Sequence, residues 1–311
     1  MTSKPRIPFA HVAAWLDERY DEPIEELAPV SGGYWSSAYT YRVGGEEFVL
    51  RLSDMAEGFA IDAAAMRFAR AELPIPEVLD VGEALDRHYA ISRRHHGRFV
   101  EDSWSGRAMS RLLEALRAVP STPESAVAWH RPDDTTWHEW LRGGLVDHPE
   151  SRVNGWRAKL EAQPRLDAIF RACEARIEEL LPHCPERRDL VHGDLLHQNV
   201  LVAEDGARVT AVFSWKCSVR GDFLFDVAWC TFWAPWHPAI DADDLWRRTC
   251  EAPDLRDDAR VDAVMRHHCY ELQIAASHFG WYVWTDDDEQ LATVARAAQR
   301  LLDQGPRDET G

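Results

Sequence analysis

The chain has 311 residues, 45% of them hydrophobic, and carries a formal charge of −18 from 53 acidic and 35 basic side chains. That length holds one large domain or two lobes around an ordinary core, and a field of that sign repels nucleic acid, so no nucleic-acid partner is expected. No apolar run reaches the roughly 18 residues of a membrane span, and residues 1–6 lead into no signal-type segment, so a cytoplasmic protein without a membrane partner is expected.

In chain order, residues 7–19 have helical spacing, 24–30 lead into the Ser31-Gly32-Gly33 turn, and 38–43 and 47–52 are β-rich runs split by Gly44-Gly45, the pattern of a hairpin. The alanine-rich segment 61–71 predicts a helix ended before Pro74 and Pro76, followed by strands over 78–81 and 88–92. Beyond Arg94 the composition changes: 109–119, 136–141, 165–181, 261–278 and 290–302 all show helical spacing, and 305–311 read as a disordered tail. The expected fold class is α+β, with a small β-rich lobe over residues 1–93 and a larger, mostly helical lobe over residues 94–311. Six scattered cysteines without a C-x-x-C pair argue against a zinc site or a disulfide framework.

Within the helical half lies Val191-His192-Gly193-Asp194-Leu195-Leu196-His197-Gln198-Asn199-Val200-Leu201-Val202, with an Asp and an Asn five positions apart between apolar runs. Moving a γ-phosphoryl group needs a carboxylate to orient the attacking hydroxyl and accept its proton, and an oxygen ligand for the Mg²⁺ that neutralises the phosphates. Asp194 suits the first role and Asn199 the second. Residues 200–202 read as a buried strand, Glu204-Asp205-Gly206 as a hairpin turn and 208–213 as its second strand. Taken alone, the loop leaves open that Asp194 and Asn199 only cap turns.

A strand-rich lobe, a hinge and a helical lobe holding H-G-D-x-x-x-x-N together resemble the aminoglycoside phosphotransferase family, relatives of the protein kinases. Val43-Gly44-Gly45, Phe48-Val49-Leu50-Arg51, Leu73-Pro74-Ile75-Pro76-Glu77-Val78-Leu79-Asp80, Ile91-Ser92-Arg93-Arg94 and Phe232-Trp233-Ala234-Pro235-Trp236 are similar in order and spacing to the hygromycin B branch, which includes capuramycin-type nucleoside phosphotransferases. The resemblance implies a bilobal, protein-kinase-like fold and an O-phosphotransferase that moves the γ-phosphoryl of ATP or GTP, with Mg²⁺, to an antibiotic hydroxyl. It places Ser31, Gly32 and Gly33 in a phosphate-covering loop, for which an ordinary turn is the alternative. Arg51 takes the position of the cation gripping the α- and β-phosphates, and Asp62 that of its acidic partner, unless Asp62 is a solvated helix-face carboxylate. Ser92 and Arg94 fall in the hinge whose main chain would pair with the purine, so side chains there do not choose between ATP and GTP.

One departure stands out against that resemblance. The family ends the strand after the loop in an Asp that bridges Mg²⁺ to the phosphates, and this chain has Phe213-Ser214-Trp215. Ser214 brings a neutral oxygen where hard cations favour a carboxylate. Three origins fit: an inactivating substitution made to trap a complex, a variant that recruits a nearby carboxylate, or a pseudokinase that binds nucleotide or antibiotic without turnover. The family's G-D-x-x-x-D run is kept as Gly221, Asp222 and Asp226, with Asp222 expected to support the loop or approach the metal and Asp226 to brace. A metabolic small-molecule kinase shares the fold and is a further alternative. For the acceptor, Trp229, Phe232, Trp233 and Trp236 read as core at helical spacing or as an aromatic lining. The acidic runs 241–244 and 286–289 read as solvated loops, or as holders of ammonium groups.

Overall fold

The computed structural model describes residues 4–30, 33–120, 134–252, 255 and 258–307. From the N-terminus, the elements are α1 (Phe9–Arg19), β1 (Glu25–Val30), β2 (Ser36–Val43), β3 (Glu46–Ser53), α2 (Glu57–Ala65), β4 (Val78–Ala84), β5 (Arg87–Arg93), β6 (Arg98–Phe99) and α3 (Gly106–Arg117). There follow α4 (Trp137–Gly143), α5 (Trp156–Glu161), α6 (Pro164–Leu180), β7 (Asp189–Val191), β8 (Val200–Val202), β9 (Val209–Val212) and β10 (Val219–Gly221). The chain ends in α7 (Leu224–Trp233), α8 (Ala242–Cys250), α9 (Asp258–Thr285) and α10 (Asp288–Gln304).

Two compact units result: Met1–Ala115 with Asp194–Ser218, and Leu116–Gly193 with Val219–Gly311. The expected division falls between residues 93 and 94, whereas 94–115 and 194–218 group with the N-terminal sheet in the first unit. The cause is strand pairing. β6 follows directly on the hinge and pairs with β8, Phe99 opposite Leu201, and β8 pairs in turn with β9.

In the first unit five antiparallel strands lie in the order β1-β2-β3-β5-β4. Gly44 (φ +58°) and Gly45 (φ +82°) turn β2 into β3 in the left-handed region that a two-residue hairpin requires. The alternation of the pleat then sorts the side chains. Tyr39, Tyr41 and Val43 of β2 and Phe48, Leu50 and Leu52 of β3 point to a core completed by Val12 and Leu16 of α1. Ala38, Thr40, Val49 and Arg51 point the other way. Burying each large apolar side chain is worth about 2 kcal/mol, so a one-residue slip that sent Arg51 inward and Leu50 outward is strongly disfavoured. The helix predicted over 61–71 starts earlier, at Glu57, and ends in a 3₁₀ turn, Met66–Phe68, before the Arg70–Leu73 bridge. Gly97 (φ +153°) passes so close to β8 that a Cβ there would lie 2.5 Å from the Val202 carbonyl oxygen.

The second unit is helical, with α9 packed against α6, α7 and α10. Every residue of α7 is buried, which is why it shows no amphipathic period. Trp229, Phe232 and Trp233 are therefore core residues, their rings grouped with Trp236 and His278. Most of the two acidic runs are accounted for by caps and ion pairs. Asp241 caps α8 by accepting the Asp244 N–H, Asp244 pairs with Arg247 and Arg248, Asp287 caps α10, and Asp286 pairs with Lys159. Part of the predicted tail is likewise held: Arg307 pairs with Asp243 and lies 3.6 Å from the buried Glu271, while residues 308–311 lie outside the described residues.

Candidate active site

The pocket-facing side of the first unit's sheet opens on a cavity of about 630 Å³, within the range of small-ligand sites. Its apolar lining includes Val30, Ala38, Val49, Val78 and Leu201, a surface suited to a flat base, and Arg51, Asp62, Asn199 and Ser214 are among its polar lining residues.

Arg51 donates from Nη2 to Asp62 Oδ2 at 2.6 Å, with its guanidinium 5.1 Å from the Phe59 ring centroid. The other oxygen of Asp62 accepts the Trp215 N–H at 2.8 Å. Asp62 is only 5% exposed, so the solvated-carboxylate alternative is excluded: this side chain fixes both the cation and the main chain just after Ser214. The expected pair is thus brought together, with Arg51 still partly open to the pocket.

Asp194 is 21% exposed and meets the pocket through two residues that line it. Asn199 Nδ2 donates to Asp194 Oδ2 and to the Asp194 carbonyl, each at 2.9 Å, and His197 Nδ1 lies 2.8 Å from Asp194 Oδ1. Partial desolvation of the His197 ring, which stays 41% exposed, acts to lower its pKa, but the hydrogen bond and charge of Asp194, with the charge of Glu101, outweigh it and raise the pKa above its ordinary value. His197 and Gln198 both adopt left-handed backbone, φ +58° and +68°. Such residues cost on the order of 1 kcal/mol each and persist where their surroundings over-determine them. Here the Gln198 N–H donates to the buried Glu101 carboxylate and the Asn199 N–H to the Leu196 carbonyl.

Of the other expected residues, Ser31 and Gly32 lie outside the described residues, and Gly33 (φ +68°) lines the pocket. Ser92 and Arg94 line it too, but the Arg93 N–H is donated to the Glu77 carbonyl and the Arg94 N–H to the Glu47 carbonyl, so two hinge amides are already paired within the sheet. Ser214 sits at φ +60°, ψ +60° on the pocket wall. In the helical unit Asp226 accepts the His192 and Gly193 N–H groups at 2.8 Å each, the two amides that precede Asp194 in the chain. Asp222, fully buried, accepts from Tyr270 and the Leu224 N–H and lies 3.3 Å from Arg266, which makes it a structural carboxylate and not a metal ligand. Burial pushes its pKa up against the pull of Arg266.

His197 is an exposed side chain, 41% open to solvent, that also touches Asp194. Sequence reading passed over one residue. Glu101 carried no signal, because its partner is 97 residues away and the pairing depends on the β6–β8 register.

A model of the phosphotransferase enzyme family matches residues 26–264. The chain belongs to that family. Hygromycin-B 4-O-kinase from Escherichia coli is 31% identical over 277 residues, covering 84% of this phosphotransferase and 77% of the relative. A solved ternary complex of aminoglycoside phosphotransferase APH(4)-Ia, a thermostable mutant with AMP-PNP and hygromycin B, superposes with a TM-score of 0.78 at 26% identity over 94% of this chain and 98% of that one. A spectinomycin phosphotransferase, at 13% identity and a TM-score of 0.63, shares the fold. The fold is therefore kinase-like, and the chain is a phosphotransferase with an alcohol group as acceptor.

No group of three or more His, Cys, Asp and Glu side chains able to hold a metal occurs among the described residues. Asn199 suits one bond to a hard cation, since its Nδ2 is committed to Asp194 and its amide oxygen has no hydrogen bond among the described residues. Ser214 adds a neutral hydroxyl. That set fits a magnesium ion brought in with a nucleotide's phosphates, which supply the remaining charge. Among the described residues no helix is long and apolar enough to cross a membrane.

Proposed function

We propose that this phosphotransferase moves the γ-phosphoryl of a nucleoside triphosphate to a hydroxyl of a hygromycin-like aminocyclitol antibiotic in the cytoplasm, and so confers resistance. The observation that carries the reading is the contact of Asp194 with Asn199 in the unit whose pocket holds the Arg51–Asp62 pair. ATP as donor is supported by the AMP-PNP bound to the solved relative, and the acceptor by its hygromycin B and by the 4-O-kinase relative.

In this reading Asp194 accepts the proton of the attacking hydroxyl through one carboxylate oxygen, while Asn199 and His197 hold the carboxylate in place. Arg51, kept in line by Asp62, lies against the α- and β-phosphates as a fixed cation, and the apolar wall of Val49 and Leu201 takes the purine. Asn199 and Ser214 would hold Mg²⁺, which when bound neutralises the phosphates. Ser214 makes this the weak point, because a neutral ligand replaces a charged one. Its left-handed backbone is one that Asp tolerates readily, so Ser214→Asp should raise magnesium-dependent transfer by roughly tenfold or more.

The test is transfer of labelled γ-phosphate from ATP or GTP to a panel of antibiotics by the chain as it stands and by Ser214→Asp. No transfer by either would sink the proposal. Affinity for a polycationic aminocyclitol should fall as salt rises, whereas that of a near-neutral, capuramycin-like nucleoside should not. Ser214 also favours a second reading, a pseudokinase that binds nucleotide with little dependence on Mg²⁺ and stays silent after Ser214→Asp, which calorimetry distinguishes. Protection of a sensitive host would separate resistance from a metabolic kinase.

A further inference from the structure

β6 and β8 run antiparallel, Arg98 opposite Val202 and Phe99 opposite Leu201, and the ladder ends with the Val100 N–H donated to the Val200 carbonyl. One residue further along, the partner strand is no longer extended, because Gln198 and His197 have turned left-handed. The main chain of residue 101 can no longer follow, and the side chain takes over: the Glu101 carboxylate, 8% exposed, accepts the Gln198 N–H. Its second oxygen is buried and has no hydrogen-bond partner among the described residues. A carboxylate is a costly group to bury in that state, and an apolar side chain would fill the same space at less expense. Its position is explained by the turn it holds, for that turn sets the five-residue span over which Asn199 reaches back to Asp194.

We propose that Glu101 is a positioning residue for phosphoryl transfer. By accepting the Gln198 N–H it fixes the left-handed turn that places Asn199 against Asp194, and so extends the hinge-proximal strand β6 into the catalytic loop. The inference rests on the phosphotransferase reading of Asp194 and Asn199, and its first readout is independent of turnover.

The experiment compares Glu101→Ala, which removes the acceptor, Glu101→Asp, which keeps the charge but withdraws it by one methylene, and Glu101→Gln, which keeps an acceptor oxygen without the charge. Each is made in the full chain and in its Ser214→Asp form. Amide hydrogen exchange across residues 194–202 should quicken in the Ala and Asp variants while the strands of the five-stranded sheet keep their protection, and Gln should restore it. Where turnover is measured, kcat should fall by roughly 10²-fold in the Ala variant with KM for nucleotide nearly unchanged, as expected of a misplaced catalytic group, and recover with Gln. Unaltered exchange in 194–202 in the Ala variant overturns the proposal, as does a Gln variant that loses kcat while its loop stays protected. If Ala does not fold, Asp and Gln still decide: equal protection in both overturns it. Absence of turnover in every variant and in the Ser214→Asp parent counts against the phosphotransferase reading, and leaves the exchange result to judge Glu101.

Discussion

The acids of the first unit and those of the helical unit are hydrogen-bonded with similar geometry, yet they are built for different work. Asp194 keeps 21% of its side chain exposed, and its two oxygens meet an imidazole and a primary amide. Asp226 and Asp222 are 1% and 0% exposed, and their oxygens are taken up by main-chain N–H groups, a tyrosine and the Arg266 guanidinium. A sealed carboxylate that satisfies backbone donors braces the chain. A partly open one held by side chains is available for proton transfer.

The largest expected effect separates the two directly. Asp194→Asn should cost about 10²–10⁴ in kcat, assayed in the Ser214→Asp form, with little change in melting midpoint. Asp226→Ala should do the reverse at the level of the fold: with two buried N–H groups left without acceptors, we expect a loss of about 3 kcal/mol in denaturant-melt stability. Equal stability losses in the two variants would erase the distinction.

A smaller effect comes from the sealed histidines of α9. Burial, then the charge of Arg176, pulls the His268 pKa down to about 4, and His267 is lowered well below its ordinary value, chiefly by burial. Unfolded histidine titrates near pH 6.5, so between about pH 6.5 and 4 only the unfolded chain takes up these protons. Stability should therefore fall as pH drops through that window, by up to about 1.4 kcal/mol per pH unit for each histidine. His268→Leu should remove one such share of the slope. A slope unchanged by that substitution would show that the ring is protonated in the folded state.

How legible the molecule was in its sequence follows the range of each interaction. The hairpin through Gly44 and Gly45, the strand carrying Arg51 and the Asp194–Asn199 spacing are local, and each is where its pattern placed it. The helical spacing of Trp229, Phe232 and Trp233 in α7 was legible but left core and lining open, and the α8 cap at Asp241 looked like one more solvated acid. Glu101 and Arg307 act across 97 and 36 residues respectively, through pairings that only the folded register brings about. The grouping of residues 194–218 with the first unit was not legible for the same reason: the two residues of β6 are too short to register as a strand, yet they pair with β8.

Asp62 joins two features that a designer would want to vary separately. Because one carboxylate holds both the Arg51 guanidinium and the Trp215 amide, a change of cation at 51 also alters the tension on the turn at 214. Retuning donor affinity in this scaffold and restoring its missing charge are then a single coupled problem, best approached by varying positions 51 and 214 together.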